Sequence, residues 1–353
     1  MENIEDLRSG MRRVDDGIME LIGERLKISR KMGAVKTAAG EGIRDIAAEM
    51  ATMDRFRALS DMVGLNPGAG EDICRILMEQ SLGVQASVPR VTTDRKKIAI
   101  VGGQGQMGKM MQRLLGRAEH EMIVIDPAAK NGRSLADAAE ADVVIVSVPI
   151  SSVSGVLTSL DGMCRDDALI FDISSLKSPF LGVLTDMAAR RRVCSVHPMF
   201  GPSVRSMHGR NLIVCDCGCP EAADTAVRLM KDQGAEIKVM PVGEHDRYMS
   251  YVLGLSHIVN IAFFTVLERS GIPFTELCSV ASTTFDKMIE TNMSVALEDP
   301  SLYYEIQHLN VSRDMMLSEL GDAIHAVSDA AMSEGPEEFR DLMLRGRGYL
   351  EGQ

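Results

Sequence analysis

Five apolar runs rich in valine and isoleucine, KIAIVGG, EMIVID, DVVIVSVP, DALIFDIS and RRVCSVHP, recur between residues 97 and 198, separated by short amphipathic stretches. A strand that reads as continuously apolar must be buried on both faces. Alternating helices supply that cover, so the pattern predicts a parallel sheet layered between helices. Two further strands are expected at NLIVCDC and AEIKVMP.

The flanks have a different texture. From residue 4 to 37, Leu7, Met11, Val14, Ile18, Leu21, Ile28, Met32 and Val35 recur in steps of three and four, with Arg25 filling one position of the series. That is a helical seam. A break at AAGEG, a helix at about 45–63, a turn at NPGAG and a helix at about 71–86 complete a three-helix unit. The first helix is ~50 Å long and its followers only ~25 to 30 Å, so one chain cannot cover the seam and a second copy is expected. Gly10, Gly17, Gly23 and Gly33 lie inside it; each costs ~1 kcal/mol relative to alanine, which adds to the dependence on packing.

SVPRVTTDRK is polar and aperiodic and reads as a linker. The expected organisation is therefore an all-α unit at 1–88, a linker at 89–96, a Rossmann-like α/β unit at 97–242, and an all-α C-terminal unit at 243–353. The last begins with a long apolar segment from 248 to 269, although no uninterrupted apolar run reaches 18 residues. Such a chain is not expected to span a membrane, and its N-terminus lacks the basic and apolar regions of a signal peptide, so the cytoplasm is the expected compartment. A net charge of −12 gives no electrostatic footprint for nucleic acid. Seven cysteines, an odd number, do not form a disulfide framework. Cys215, Cys217 and Cys219 alternate along a predicted strand end but lack the spacing and fourth ligand of structural zinc, so packing is their expected role and no metal is expected.

In KIAIVGGQGQMGKMMQRLL a strand runs into Gly103, Gly105 and Gly108 and then into a helix. The first two glycines permit a tight turn and close approach of backbone N–H groups to a pyrophosphate, and the third lets helix pack on strand. Asp126 ends the second strand, where it could accept hydrogen bonds from a ribose 2′-hydroxyl. No arginine follows it to hold a 2′-phosphate, so NAD is the expected cofactor rather than NADP. Gln106 and Met107 within the turn, and Ser147 and Pro149 after the third strand, are further candidate cofactor contacts.

Ligands of an open parallel sheet bind beyond the carboxyl ends of its strands. Ser147, then Ser175 and Lys177, then His197 follow the third, fourth and fifth strands at that edge. Pro198 biases His197 towards an extended conformation, and an imidazole titrating near neutrality can accept a hydroxyl proton as hydride leaves the same carbon.

The runs GGQGQMG, SVPI, DISSLKSP, HPMFGP and EHD, with a Ser256-His257 pair twelve residues after His245, resemble the prephenate dehydrogenase family in order and spacing from about 97 to 330. The resemblance implies that His197 bonds the ring hydroxyl of prephenate and takes its proton as hydride passes to NAD. Ser175 would orient the imidazole, and His245, His257 and Lys177 would serve the substrate. Loss of carbon dioxide would give 4-hydroxyphenylpyruvate. Where the family usually has an arginine, five residues before Asp299-Pro300, this sequence has Ser294, which leaves arogenate or a related acid open as substrate.

Arg25 on an apolar seam calls for an anionic partner, because an unpaired buried charge is costly. Lys36 lies eleven residues on, about three turns and ~16 Å along the same face. Arg8, ~25 Å back, could reach that place only from the partner of an antiparallel dimer. Asp45 and Glu49 read as an i, i+4 pair on the second helix, as do Ser81 and Gln85 on the third. Together these residues resemble the all-helical chorismate mutase family. The resemblance implies that Arg25 and the partner's Arg8 hold the carboxylates of chorismate. Lys36 and Gln85 would meet the ether oxygen, Asp45 and Glu49 the ring hydroxyl, and Ser81 would support a carboxylate. Ala48 stands where the family commonly has arginine, which leaves open a helical unit that only dimerises or binds an effector. The expected protein is a homodimer acting on chorismate and prephenate.

Overall fold

The computed structural model describes residues 3–39, 42–43, 45–88, 94–118, 120–231 and 233–352. Of the expected linker, residues 89–93 lie outside the described residues. The chain divides into two compact units. The first holds residues 1–148, 155–173 and 182–240, and the second 149–154, 174–181 and 241–353. The sequence suggests contiguous domains, whereas two short segments that follow sheet strands group with the helical unit.

In the first unit, helix α1 spans Ile4–Ala38. It starts at a capping box, in which the Asn3 side chain accepts from the Glu5 and Asp6 N–H groups and Asp6 answers the Asn3 N–H. Helix α2 spans Ile46–Met62 and α3 spans Pro67–Ala86. The expected turn at NPGAG is instead the first turn of α3: Asn66 caps it at 2.9 Å from the Gly68 N–H, and Pro67 takes the first helical position, where a missing N–H goes unmissed. α3 packs on the face of α1 that carries Arg25, Ser29 and Gly33. The apolar seam points elsewhere. Leu7, Met11, Val14, Ile18, Leu21, Ile28, Met32 and Val35 are all between 47% and 69% exposed, so the chain's own α2 and α3 leave the whole seam uncovered.

The sheet follows, with β1 at Lys97–Val101, α4 at Gln106–Leu115, β2 at Glu121–Ile125, β3 at Val143–Val146, α5 at Ile150–Asp161, β4 at Leu169–Asp172, α6 at Leu181–Ala188, β5 at Val193–Pro198, β6 at Asn211–Asp216, α7 at Pro220–Lys231 and β7 at Glu236–Pro241. The strand order is β2-β1-β3-β4-β5-β6-β7. All seven expected strands form, and β1 to β5 pair in parallel. β6 runs antiparallel to β5, with His197 opposite Ile213, so the Rossmann-like sheet is mostly parallel. Ile98, Ile100, Val143, Ile145, Leu169, Phe171 and Val196 form its core with Met110, Met111 and Leu114 of α4. Cys215 and Cys217 are buried at β6 and its end, and among the described residues no three metal-capable side chains gather.

The second unit is helical. α8 (Val242–Met249), a π-helical turn (Ser250–Leu255) and α9 (Ser256–Arg269) run on as one rod, followed by α10 (Phe274–Ser279), α11 (Thr283–Ala296), α12 (Pro300–His308), α13 (Arg313–Met332) and α14 (Glu337–Leu350). The rod Val242–Arg269 is long and apolar enough to cross a bilayer by length and composition, although polar residues punctuate it. Two of those, His245 and Asp246, are buried within this unit. Val266, Leu297 and Val311 are more than two-thirds exposed, so much apolar surface of this unit has no cover within one chain.

Candidate active sites

On the helical bundle, the Arg25 guanidinium crosses from α1 to α3, donating to the Leu77 carbonyl at 2.6 Å and to the Ser81 hydroxyl. Neutral acceptors therefore orient this cation. Ser81 and Gln85, one turn apart, are both 6% exposed. Gln85 reaches this position because α1 has no side chain opposite it: a Cβ at Gly33 would lie 2.8 Å from the Gln85 Cα. The Gln85 Oε1 is buried without a hydrogen-bond partner, a cost of ~1 to 3 kcal/mol that a ligand could relieve. Lys36 donates to the Ile43 carbonyl at 2.6 Å.

The two carboxylates differ from the expected helical pair. Asp45 is the N-cap of α2, exposed, and accepts the Ala48 N–H at 3.0 Å, while Glu49 is half-buried in the first turn. Asp45 can do this because its backbone is extended and a short acceptor side chain suits a helix start. Arg8 is exposed and paired with Glu5 at 2.6 Å, so within one chain it does not join Arg25.

At the sheet edge, β1 ends in a turn with no space for side chains. Gly102 has φ +81°, and a Cβ there would sit 2.1 Å from the Ser147 carbonyl. A Cβ at Gly108 would lie 2.4 Å from the Gly102 oxygen, so the third fingerprint glycine packs helix on strand as its position predicts. Gly102, which the sequence reading passed over for its neighbour Gly103, carries the left-handed conformation. The doubled glycine was the available signal. Gly105 caps α4, whose first turn begins with Gln106, Met107 and Gly108; N–H groups there have no intrahelical acceptor. Asp126 fixes the loop from the adjacent strand, accepting the Gln104 N–H at 2.9 Å and the Ala128 N–H at 2.8 Å. Ser147 donates its N–H to the Val101 carbonyl at 2.8 Å, tying the third strand's end to the first. A backbone cradle that any Cβ would fill, closed by a carboxylate, fits a dinucleotide pyrophosphate and ribose.

His197 is the penultimate residue of β5 and 4% exposed. Ser195 lies two residues before it, hence on the same strand face. Its hydroxyl donates to Asp172 at the end of β4, and both are fully buried. This hydroxyl and carboxylate were not anticipated; an acid closing an otherwise apolar strand was the signal.

The remaining candidates belong to the second unit. Pro149 precedes α5, at whose N-terminus Glu305 accepts the Ile150 N–H at 3.2 Å and the Ser151 hydroxyl at 2.8 Å. Ser175 is half-buried, and Lys177 is fully buried with its ammonium on the Ser174 carbonyl at 2.8 Å. His245 is fully buried in α8, and its Nδ1 lies 2.6 Å from Asp246. Asp246 was unremarked in the sequence beyond the EHD run. Burial pushes its carboxyl up, but hydrogen bonds from His245 and Ser178 outweigh that and hold it below the usual carboxylate range. His257 stacks on Tyr303 with ring centres 4.2 Å apart, and burial holds its pKa below the ordinary imidazole value. The Ser294 hydroxyl donates to the Thr291 carbonyl of its own helix at 2.6 Å.

Three domain models match the chain. Residues 7–86 match type II chorismate mutase, residues 116–239 the nucleotide-binding domain of prephenate dehydrogenase, and residues 241–344 its dimerization domain. The T-protein of Haemophilus influenzae is 28% identical over 310 residues, spanning 87% of this chain and 81% of that one. A probable arogenate/prephenate dehydrogenase of Methanocaldococcus jannaschii is 28% identical over 263 residues, 70% of this chain and 59% of that one. The crystal structure of prephenate dehydrogenase from A. aeolicus in complex with hydroxyphenyl propionate and NAD+ superposes with TM-score 0.59 at 18% identity, over 73% of this chain and 99% of that one, and shares the fold. With a type II chorismate mutase match and matches to both domains of prephenate dehydrogenase on one polypeptide, the chain belongs to the bifunctional family that joins a chorismate mutase to a prephenate dehydrogenase.

Proposed function

We propose that this chain rearranges chorismate to prephenate in its N-terminal helical unit, and then oxidises prephenate to 4-hydroxyphenylpyruvate, carbon dioxide and NADH with NAD. The observation that carries the dehydrogenase half is the common edge of one sheet, where the glycine cradle after β1 and His197 at the end of β5 both lie. NAD supplies the hydride acceptor when bound, held by Gly103, Gly105, Gln106, Met107 and Gly108, with Asp126 on the ribose and Ser147 and Pro149 beside it. His197 takes the proton of the ring hydroxyl as the carbonyl forms, which is work suited to an imidazole near neutral pH. Loss of the ring carboxylate as carbon dioxide leaves an aromatic ring, so aromatisation drives the step. Ser175 orients the imidazole, and Lys177, His245 and His257 serve the substrate's position.

The mutase half needs no nucleophile, because the rearrangement is intramolecular; it needs a compact conformer and donors for the ether oxygen. Arg25, Lys36, Ser81 and Gln85 provide these from one chain. Asp45 and Glu49 address the ring hydroxyl, and Arg8 comes from the partner. The uncovered seam of α1 and the matched dimerization domain support a homodimer, which we take to act in the cytoplasm on these small molecules alone. Supplying chorismate and NAD to the purified chain should produce NADH with one carbon dioxide released per turnover. NADH formed from prephenate but never from chorismate would refute the mutase half.

A second reading concerns the acid oxidised. Ser294 spends its hydroxyl on its own helix and offers no cation for a side-chain carboxylate, which favours testing arogenate beside prephenate. A kcat/KM for arogenate above that for prephenate would exchange the two.

A further inference from the structure

The helical unit holds a buried carboxylate that the proposed chemistry leaves unused. Asp246 is 4% exposed, and its two oxygens collect donors from two directions. Oδ1 takes the Lys177 N–H at 2.9 Å and lies 2.6 Å from the His245 Nδ1. Oδ2 takes the Ser178 N–H at 2.7 Å, the Ser178 hydroxyl, and the Lys177 N–H again at 3.1 Å. Behind it, Asn310 donates to the Asp246 backbone carbonyl at 3.4 Å. The Lys177 and Ser178 N–H groups and the Ser178 hydroxyl all donate to the carboxylate, which favours its ionised form, and a neutral amide in its place would turn an N–H₂ towards donors.

We infer that Asp246 is a positioning residue of the dehydrogenase, which fixes the protonated nitrogen of His245 as Nδ1 and clamps the segment Lys177–Ser178 against α8. An acceptor-only partner on Nδ1 leaves Nε2 as the nitrogen whose protonation can change, and holds the ring in one orientation. The same carboxylate holds the backbone two residues after Ser175. One side chain thus sets two elements that the proposed function assigns to the substrate. The inference rests on that assignment of His245 and goes beyond it by naming what orients the ring.

The test is a double-mutant cycle on the full chain, with Asp246→Asn and His245→Asn assayed singly and together. Prephenate oxidation is the readout, and chorismate consumption on the same polypeptide reports folding. Asp246→Asn should lower kcat for prephenate oxidation at least tenfold, move KM for NAD less than twofold, and leave chorismate consumption unchanged. In the His245→Asn background the same change should cost less than fivefold, the share carried by the clamp, because the part acting through the ring has nothing further to lose. Multiplicative losses in the double variant would overturn the inference. If Asp246→Asn abolishes chorismate consumption as well, Ser178→Ala decides, since it removes a single donor: a two- to fivefold loss of kcat sustains the clamp, and unaltered kinetics overturn it. An unmodified chain inert towards prephenate would instead overturn the dehydrogenase reading itself, a result distinguishable from additive variants of an active enzyme.

Discussion

Gly33 and Gln85 meet backbone to backbone: a Cβ on the first would lie 2.8 Å from the Cα and 2.9 Å from the carbonyl oxygen of the second. Neither atom belongs to a flexible side chain, so any larger residue at 33 must push α1 away from α3. Arg25 and Lys36 sit on α1, and Ser81 and Gln85 on α3, so the constellation proposed to hold chorismate is set by this one contact.

Gly33→Ala should therefore weaken the mutase selectively. Overpacking of this kind costs ~1 to 3 kcal/mol, and we expect kcat/KM for chorismate to fall about tenfold or more in line with it. Prephenate oxidation by the same chain should be unaffected. Equal rates for both forms of the enzyme on chorismate would show that the helix spacing does not control the site.

Much of this arrangement was legible in the sequence, and the failures have physical causes. Strands appeared because two-sided burial demands continuous apolar runs, and the direction of β6 did not, because an antiparallel partner buried on both faces reads the same. The seam of α1 was visible as a period, but which face α3 would choose was not. The choice went to the small and polar face with Ser29 and Gly33, where backbones can approach, and the apolar seam was left out. Arg25, Ser81, Gln85 and His197 were named from spacing and resemblance. Asp246 and the Asp172–Ser195 pair were not, because what makes them notable is the set of donors folded around them.

Asp126 should govern the choice of dinucleotide. Its carboxylate is already bonded to the Gln104 and Ala128 N–H groups and could accept a ribose hydroxyl as well. Hydrogen bonds to a charged group are worth ~1.5 to 3 kcal/mol, so Asp126→Asn should lower kcat/KM for NAD about 10- to 100-fold. The value for NADP should hold steady or rise, since a negative charge facing the 2′-phosphate is removed. Parallel losses for both dinucleotides would mean the residue only shapes the loop.

Asp161 should contribute to stability above acidic pH. It accepts from Arg190 and, at 2.7 Å, from Arg191, joining the end of α5 to the residues after α6. The Arg190 hydrogen bond, helped by Arg191, holds its carboxyl below the usual range. A carboxyl whose folded pKa is depressed stabilises the fold above its unfolded pKa and loses that contribution as pH falls through the folded value. Asp161→Asn should lower Tm by about 2 °C at pH 7. The gap between the two melting curves should close as pH drops below ~4. A gap of unchanged size as pH falls would point to packing rather than charge.

Arg8 and Arg25 lie seventeen residues apart on one continuous helix, ~25 Å along its axis. No single chain can therefore bring both to one small ligand. If each mutase site takes Arg25 from one protomer and Arg8 from its partner, Arg8→Ala and Arg25→Ala should each abolish mutase activity alone. Mixed and allowed to exchange subunits, they should recover it. A mixed dimer contains one site that has lost both arginines and one that has lost neither. Random exchange makes half the dimers mixed, so about a quarter of all sites, and of the wild-type rate, should return. No recovery from a mixture shown to contain mixed dimers would place both arginines in the same protomer's site, which the helix length forbids, or remove Arg8 from catalysis altogether.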